Sequence, residues 1–221
     1  MLQRVLEPEA MDSFEEAQDY DAMDHGEVNR RFVDDLLAAA PEPGDVLDLG
    51  TGTAQIPIAL CQRTDGCRVM AVDMAVHMLD TARLNIEIEG LIERIFLGQA
   101  DAKQLPHANA MFDTVMSNSI VHHVPDPAPV LQEALRVVRP GGLLFFRDLA
   151  RPESEEQLAH LVETYAGEEN EHQQKMFADS LRAALSVEEI QAIVEQFGFS
   201  GDSIAMTSDR HWTWSARRPA D

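Results

Sequence analysis

The stretch VLDLGTGTAQ, residues 46 to 55, decides the fold of this chain. It joins a short apolar run to a turn with two glycines, Gly50 and Gly52, and then to a helical pattern. Glycine allows a sharp backbone turn, and it lets a ligand approach the free amide groups at the start of a helix. The stretch therefore predicts a buried strand, a glycine-rich turn and a helix that together can hold a ligand.

The same alternation of short apolar runs and helical patterns continues along the chain. Strands are predicted at 46–50, 68–73, 94–100, 112–119 and 142–148. Helices are predicted at 54–64, 75–89 and 127–138, and RPGG at 139–142 ends the last of them. This order is typical of βαβ units. With a terminal antiparallel hairpin over SIAMTSDRHWTWSARR, it predicts an α/β fold with a doubly wound, mainly parallel, seven-stranded sheet.

Two regions lie outside the repeat. Residues 9–40 contain an amphipathic pattern and predict an N-terminal helical cap, and the charge-rich residues 153–185 predict a helical insertion after the fifth strand. After the insertion, Ser186 and Glu189 have the spacing of a capping box at the start of a helix, which Gly198 ends. No repeat or low-complexity linker divides the chain, so residues 1–221 are interpreted as one domain.

Composition narrows the class of partner. A formal charge of −22 disfavours nucleic acid and anionic membrane surfaces, so a small neutral or cationic molecule is the expected substrate. The chain has no apolar run long enough for a membrane span, and its amino terminus lacks the pattern of a secretory signal. Its two cysteines lack CxxC spacing. These features predict a cytoplasmic protein.

Acidic residues follow the predicted strands. Asp73 ends the second strand, 21 residues after Gly52, where a carboxylate can accept hydrogen bonds from ribose hydroxyls. Gln55 stands where a dinucleotide fingerprint has its third glycine, and Asp48 before the turn suits a cationic amine better than a pyrophosphate. These residues therefore favour an adenosine-bearing cofactor with a cationic amine over a dinucleotide. Alternatively, Asp48 caps a turn, Asp73 caps a helix, and Asp101 closes a loop on its own backbone.

Residues 45 to 150 resemble class I S-adenosylmethionine-dependent methyltransferases in the order of their motifs. VLDLGTGTA resembles the first motif, although Ala54 replaces its common third glycine, a change expected to be mild. SNSIVHHVPDP and LRVVRPGGLLFF resemble later motifs of the small-molecule branch that includes the ubiquinone and menaquinone C-methyltransferases. The resemblance implies a Rossmann-like methyltransferase fold and S-adenosyl-L-methionine as cofactor. The residues it implies as cofactor-binding are Asp48, Gly50, Thr51, Gly52, Gln55, Asp73, Met74, Asp101, Ala102, Ser117 and Asn118.

In this family the amino-terminal segment and additions after the fourth and fifth strands usually set the substrate. The insertion 153–185 is therefore expected to form a lid together with the lead-in around residues 20–25. The candidate substrate-binding residues are Tyr20, His25, Tyr165, His172 and Arg182, with Met23 and Phe177 nearby. The alternative is a packed helical pair with a solvated face.

Two adjacent histidines, His122 and His123, follow the fourth strand. In an extended segment neighbouring side chains point to opposite sides, so one of them can face a substrate. Related methyltransferases with sequences resembling LEHVPDP often carry an acid or a histidine at this position, so the resemblance implies that His122 is the catalytic residue and that His123 packs inward. The alternative is that both are turn residues. No HxxxH or HxxH pair lies on a predicted helix, so no metal site is expected.

The sequence predicts an S-adenosylmethionine-dependent methyltransferase that acts on a small molecule by in-line displacement. The alternatives are a quinone-type C-methyltransferase, a non-catalytic regulator that binds the same cofactor, and a nicotinamide oxidoreductase. The acceptor, the methylated atom and the oligomeric state do not follow from the sequence.

Overall fold

A computed structural model of the chain describes residues 2–7, 13–22 and 26–220. The strands are β1 (Asp45–Leu49), β2 (Arg68–Asp73), β3 (Ile95–Gln99), β4 (Phe112–Asn118), β5 (Val138–Leu149), β6 (Ile204–Met206) and β7 (His211–Arg217). The helices are α1 (Phe14–Ala22), α2 (Gly26–Ala39), α3 (Gln55–Arg63), α4 (Val76–Ile88), α5 (Ala128–Val137), α6 (Glu155–Ala166), α7 (Glu171–Ala183) and α8 (Val187–Gln196). Short 3-10 turns lie at Val121–His123 and Gly201–Ser203.

The strands form a seven-stranded sheet in the order β3-β2-β1-β4-β5-β7-β6. β1 pairs in parallel with both β2 and β4, β2 pairs in parallel with β3, and β6 and β7 form an antiparallel pair. This arrangement confirms the predicted α/β fold with a mainly parallel sheet and a terminal hairpin. In the described ranges, no helix is long and apolar enough to cross a membrane.

The chain divides into two compact units. The larger unit comprises Ala10–Asn118, Pro129–Phe146 and Ser215–Asp221, and the smaller unit comprises Met1–Glu9, Ser119–Ala128 and Arg147–Trp214. The core of the larger unit joins the buried face of α2 to α3, α4 and the inner strands. In the smaller unit, Leu149 at the end of β5 packs with Leu158 and Leu161 of α6 and Leu181 of α7.

The predicted elements agree with the structure except near their ends. The insertion 153–185 contains α6 and α7, whose apolar residues share a core with the end of β5. The cap over residues 9–40 contains α1 and α2, although residues 9–12 and 23–25 lie outside the described ranges. α5 ends at Val137, one residue before its predicted end, and β5 begins at Val138 rather than at residue 142. RPGG therefore lies within β5, where Gly141 has a positive φ of 76°.

The capping box predicted at residue 186 is present. The Ser186 hydroxyl accepts a hydrogen bond from the Glu189 backbone N–H at 3.2 Å, and the Glu189 carboxylate accepts one from the Ser186 N–H at 2.9 Å. Glu189 also pairs with the buried Arg151 guanidinium at 2.6 Å. The start of α8 is thus tied to the segment that follows β5.

Ser186→Ala removes the side-chain acceptor and leaves a helical N–H without its cap. We expect the variant to lose about 0.5–2 kcal/mol of unfolding free energy, measured by urea denaturation. Ser215→Ala, at an exposed position of β7, is the control and should stay within about 0.5 kcal/mol of the wild type. Equal effects in the two variants would show that the cap contributes nothing measurable.

Candidate functional site

The glycine-rich turn after β1 is held against the end of β2. The backbone N–H groups of Gly50 and Thr51 donate to the Val72 carbonyl oxygen at 2.9 and 3.0 Å. Gly52 has a φ of 54°, in the left-handed region that favours glycine. A Cβ there would lie 3.6 Å from the Tyr20 ring, so the turn also passes close to α1.

Asp73 organises this turn. One carboxylate oxygen accepts the Gly52 N–H at 2.8 Å, and the other accepts the Ala75 N–H at 2.9 Å. The N-cap residue of α4 is Ala75, whose own side chain makes no capping hydrogen bond. Asp73 therefore joins the tip of β2 to the glycine turn of β1, which is more than the cap role that the sequence left open.

Ala54 is a strained position. Its φ of 64° and ψ of 22° are left-handed, which explains why glycine is common here in the family motif. An alanine in this conformation costs about 1–2 kcal/mol relative to the right-handed region. The substitution is thus less mild than expected, and the completely buried methyl group adds packing to the core of the larger unit.

Asp48 is a buried carboxyl group at the end of β1, with 4% of its surface exposed. Burial raises its pKa to about 7, and the negative charge of nearby Asp73 contributes to the shift. A carboxyl group held in this state becomes a favourable partner for a cation, because a positive charge would restore its ionised form. This property fits the ammonium group that the sequence analysis expected there.

The remaining predicted cofactor residues of the larger unit differ in their surroundings. Asp101 accepts the Lys103 N–H at 2.8 Å and has a 42% exposed side chain, so it closes its own loop as the alternative supposed. Met74, the residue after β2, is exposed, and Ala102 is half-buried. Ser117 donates its hydroxyl to the Leu49 carbonyl at 2.9 Å, whereas the buried Asn118 Oδ1 has no hydrogen-bond partner in the described residues.

A polar network that the sequence analysis missed surrounds Gln55. The Gln55 side chain accepts from Asn29 at 3.1 Å and donates to Asp21 at 3.2 Å. The same Asp21 oxygen accepts from Asn85 at 2.9 Å, and Asn85 also donates to the Thr53 carbonyl at 3.1 Å. The network links α1, α2 and α4 to the glycine turn. No local sequence signal identifies it, since its members are 26 to 64 residues apart.

Tyr20 of α1 is the residue before Asp21, which belongs to the network around Gln55. It packs against Ala75 and Met78, and burial, together with the negative charges of Asp73 and Asp48, raises its pKa to about 12. Of the predicted substrate residues, Tyr20 therefore lies beside the glycine turn. His25 and Met23 lie outside the described residues.

The other three predicted substrate residues, Tyr165, Arg182 and His172, lie in the smaller unit. Tyr165 and Arg182 contact other side chains of that unit, and His172 is exposed to solvent. The Tyr165 hydroxyl donates to Asp209 at 2.6 Å, and the Arg210 guanidinium lies 3.3 Å from the centre of its ring. Arg182 pairs with Glu155 at 2.7 Å, which links α7 to α6. His172 is exposed near the start of α7. This resembles the packed helical pair with a solvated face, and the substrate roles stay predictions.

The two histidines after β4 form a second polar cluster, which lies in the smaller unit. The prediction of an extended segment here is wrong, because residues 121–123 form a 3-10 turn. Such a turn advances about 120° per residue instead of 180°, so the rings of His122 and His123 lie together, with centroids 4.1 Å apart. The burial expected for the pair is also reversed, because His122 is the more buried of the two.

His122 is held by Asp148 of β5. Its Nδ1 lies 2.5 Å from Asp148 Oδ1, and Asp148 also accepts the N–H groups of Val121 at 2.6 Å and Leu149 at 2.7 Å. Burial opposes protonation of His122, but the charge of Asp148 and its hydrogen bond outweigh burial, so the pKa of His122 is raised. The catalytic role expected for His122 stays a prediction.

Glu7 faces both imidazole rings from the N-terminal segment. Its Oε1 lies 3.5 Å from His122 Nε2 and 3.2 Å from His123 Nδ1. Ser180 donates to the same carboxylate at 3.1 Å. Burial raises the pKa of Glu7, although the positive charge of a protonated His122 opposes the shift. The three side chains form a compact donor cluster, since one ligand atom of each lies within 4.8 Å of the others.

The raised pKa of Asp48 predicts how stability depends on pH. In the unfolded chain the Asp48 carboxyl ionises near its ordinary pKa of 3.8, whereas in the folded protein its pKa is about 7. The folded state therefore binds more protons in this window, and stability falls as the pH rises from about 4 to 7. Asp48→Asn removes the titration. We expect the free energy of unfolding of the variant to rise relative to that of the wild type as the pH increases through this window. The difference should reach up to about 4 kcal/mol at pH 8.

Urea denaturation at a series of pH values checks this expectation. Asp80→Asn, at an exposed position of α4 that pairs with Arg83 at 3.6 Å, is the matched control and should follow the wild type. A stability difference between Asp48→Asn and the wild type that stays constant from pH 4 to pH 8 would contradict the raised pKa.

Comparison with known proteins agrees with the fold and with the motif order. A SAM-dependent methyltransferase structure from Aquifex aeolicus superposes with a TM-score of 0.70 at 16% identity, over 93% of this chain and 98% of that one. At this identity the likeness shows the fold alone. It also extends beyond the motif region, so the helices and strands after residue 150 belong to the shared architecture.

Two of the curated relatives that match this chain illustrate the sequence similarity. The chain is 37% identical over 128 residues to a malonyl-[acyl-carrier protein] O-methyltransferase of Enterobacter lignolyticus, covering 57% of this chain and 48% of the relative. It is 28% identical over 198 residues to the 27-O-demethylrifamycin SV methyltransferase of Amycolatopsis mediterranei, covering 87% and 69%. Apart from the A. mediterranei relative, the curated relatives that this chain matches are covered over about half of their own length or less.

The family comparison covers the region that holds the glycine turn and the strand-end acids. Residues 47–146 match a family described as a methyltransferase domain. This stretch runs from β1 into β5 and includes Asp48, Asp73, Asp101 and the two histidines. Residues 47–146 of this chain are therefore similar to the methyltransferase domain family.

Proposed function

We propose that this chain transfers the methyl group of S-adenosyl-L-methionine to a hydroxyl group of a small molecule. The observation that carries the proposal is the joined tips of β1 and β2. There a buried Asp48 precedes a glycine turn whose Gly52 N–H is bonded to Asp73 at 2.8 Å. The family match over residues 47–146 supports it.

The residues at this edge suit the chemical groups of the cofactor. Asp48 would bind the ammonium group, the glycine turn would bind the methionine part, and Asp73 would bind the ribose hydroxyls. The adenine would lie against Met74, Asp101 and Ala102. Asn118 adds support, because its buried Oδ1 lacks a partner in the described residues and so can accept a hydrogen bond from a ligand. Gln55, Thr51 and Ser117 would hold the turn and the end of β4 in place.

The proposed cofactor supplies an electrophilic methyl group bonded to a sulfonium centre. The protein then has to hold an acceptor in line with that group and exclude water, and such positioning provides much of the rate. Proton removal from a hydroxyl acceptor needs a base, and His122 is the candidate. Asp148 fixes its Nδ1, which leaves Nε2 as the nitrogen that can accept a proton, as in other Asp–His pairs.

The names of two relatives favour an oxygen atom as the acceptor, and the candidate base favours a hydroxyl over a carboxylate, which would need no proton removal. The E. lignolyticus relative is named as an O-methyltransferase of a malonyl-[acyl-carrier protein], and the A. mediterranei relative as a 27-O-demethylrifamycin SV methyltransferase. A quinone-type acceptor is the second candidate, since a Thermus thermophilus relative named demethylmenaquinone methyltransferase is 37% identical over 123 residues. The charge of −22 argues for a small-molecule acceptor rather than a nucleic acid. A cytoplasmic location remains a prediction.

A two-stage experiment tests the proposal. Thermal shift with S-adenosylmethionine, S-adenosylhomocysteine, NAD and NADP identifies the cofactor, because a ligand at 100 times its Kd adds about 2.7 kcal/mol. Methyl-labelled cofactor is then incubated with a panel of phenols, carboxylic acids and quinols, and NMR of the product identifies the methylated atom. Stabilisation by NAD or NADP alone would replace the methyltransferase proposal with an oxidoreductase, and cofactor binding without turnover would favour a regulator.

Asp73→Ala tests the cofactor site. We expect S-adenosylmethionine to bind one to two orders of magnitude more weakly, because a charged acceptor contributes about 1.5–3 kcal/mol per hydrogen bond. Isothermal titration calorimetry measures the affinity, and Asp80→Ala on the exposed face of α4 should bind as the wild type does. Unchanged affinity with a lowered melting temperature would mean that Asp73 only stabilises the turn.

His122→Gln and His122→Ala test the proposed base. In the presence of EDTA, we expect turnover to fall about 100-fold or more while cofactor affinity is preserved, in the range for general acid–base groups. His123→Ala is the neighbouring control and should mainly lose stability. Circular dichroism confirms that the variants fold. If His122→Gln and His123→Ala both turn over at near wild-type rates, the pair has no catalytic role.

A further inference from the structure

We infer that Glu7, His122 and His123 form a binding site for a divalent transition metal ion, with Zn²⁺ the best fit. The ligand atoms are Glu7 Oε1, His122 Nε2 and His123 Nδ1, which lie within 4.8 Å of one another. All three residues belong to the smaller unit. The lack of HxxxH and HxxH pairs on the predicted helices indicated no metal site, whereas this set of residues joins the N-terminal segment to a 3-10 turn.

The distances fit shared coordination better than a direct ion pair. Charge-assisted hydrogen bonds between nitrogen and a carboxylate are about 2.7–2.9 Å long. Two ligands about 2.0–2.1 Å from a tetrahedral Zn²⁺ are themselves about 3.3–3.4 Å apart. Glu7 Oε1 lies 3.2 Å from His123 Nδ1 and 3.5 Å from His122 Nε2, on either side of that value. An ion could enter this cluster with small side-chain movements.

The groups behind the cluster have the arrangement that metal-binding histidines usually show. A ligating imidazole normally donates its other N–H to a carboxylate, which fixes the ring and its tautomer. His122 Nδ1 faces Asp148 Oδ1 at 2.5 Å, which leaves Nε2 directed at Glu7. Asp148 is itself held by backbone N–H groups, and Ser180 donates to Glu7 at 3.1 Å. Two of the ligand side chains are thus oriented by a second layer of hydrogen bonds.

Charge and access are also suitable. With neutral imidazoles, Glu7 and Asp148 bring two negative charges, while Arg4 brings one positive charge nearby. Arg4 donates to the carbonyl oxygens of Ala183 at 2.7 Å and Val124 at 2.9 Å, so its guanidinium is occupied with main-chain acceptors. Glu7 and His123 have 16% and 17% of their side chains exposed, which allows an ion to enter from solvent.

The donor set indicates the kind of metal. Two imidazoles and a carboxylate suit Zn²⁺ and similar transition metals, whereas Mg²⁺ and Ca²⁺ prefer oxygen ligands. Three protein ligands leave a fourth tetrahedral position for water or another small ligand. One further consequence rests on the proposed function: a metal on His122 Nε2 would occupy the nitrogen proposed as the base, so Zn²⁺ would inhibit methyl transfer.

Equilibrium dialysis of the chelator-treated full chain against ZnCl₂, followed by elemental analysis, tests the site without cofactor or acceptor. We expect one Zn²⁺ per chain, and no comparable binding of Mg²⁺. Glu7→Gln and His123→Ala should each weaken Zn²⁺ binding at least about 10-fold, and Asp148→Asn about 10- to 100-fold. His160→Ala, which removes an exposed histidine of α6, should bind as the wild type does.

The inference is overturned if the wild type binds no stoichiometric Zn²⁺, or if Glu7→Gln and His123→Ala bind it as tightly as the wild type does. Glu7 and the histidines would then form an ion-paired cluster only. Circular dichroism of Glu7→Gln, whose amide can still accept from Ser180, separates loss of binding from loss of folding. Turnover with and without Zn²⁺ is a separate measurement, so failure of the methyltransferase proposal would leave the metal result unaffected.

Discussion

The parallel pairing of β1 with two neighbours is the constraint on which the candidate cofactor site depends. Leu49 is in register with Val72 of β2 on one side and with Ser117 of β4 on the other. Parallel strands in register end at one edge of the sheet, where open α/β sheets bind ligands. The pairing brings the glycine turn to the Val72 carbonyl and to Asp73. A shift of register by one residue would turn Asp48 to the opposite face of the sheet.

A buried charge has the corresponding role in the smaller unit. Asp148 is 1% exposed, and a carboxylate so placed is stable only if its oxygens are satisfied. It accepts N–H groups from both the 3-10 turn and its own strand, and it binds the His122 ring. The pKa of Asp148 is lowered, because these hydrogen bonds and the charge of His122 outweigh the effect of burial. One residue therefore fixes the backbone turn and the orientation of the imidazole together.

The sequence predicted the parts of the molecule that depend on short-range patterns. The strand and helix order, the capping box at Ser186 and the terminal hairpin are confirmed, because hydrophobic period and turn residues act locally. The polar network around Gln55 and the Glu7 cluster were not predicted, since their members are brought together only by the tertiary fold. The histidine pair shows a different limit. One 3-10 turn replaced the extended geometry that was assumed, and it reversed which ring is buried.

Helix α1 has a consequence for the kinetics of any ligand bound at the glycine turn. Tyr20 of α1 lies beside Gly52, and Asp21 accepts hydrogen bonds from Gln55 and Asn85. A ligand in contact with Gly52 would therefore lie close to α1, and a movement of α1 away from the glycine turn would have to break these two bonds. Each contributes about 0.5–1.5 kcal/mol, and 1.4 kcal/mol corresponds to a factor of ten. If release of the ligand required α1 to move, its residence time would depend on the Asp21 carboxylate even without direct contact.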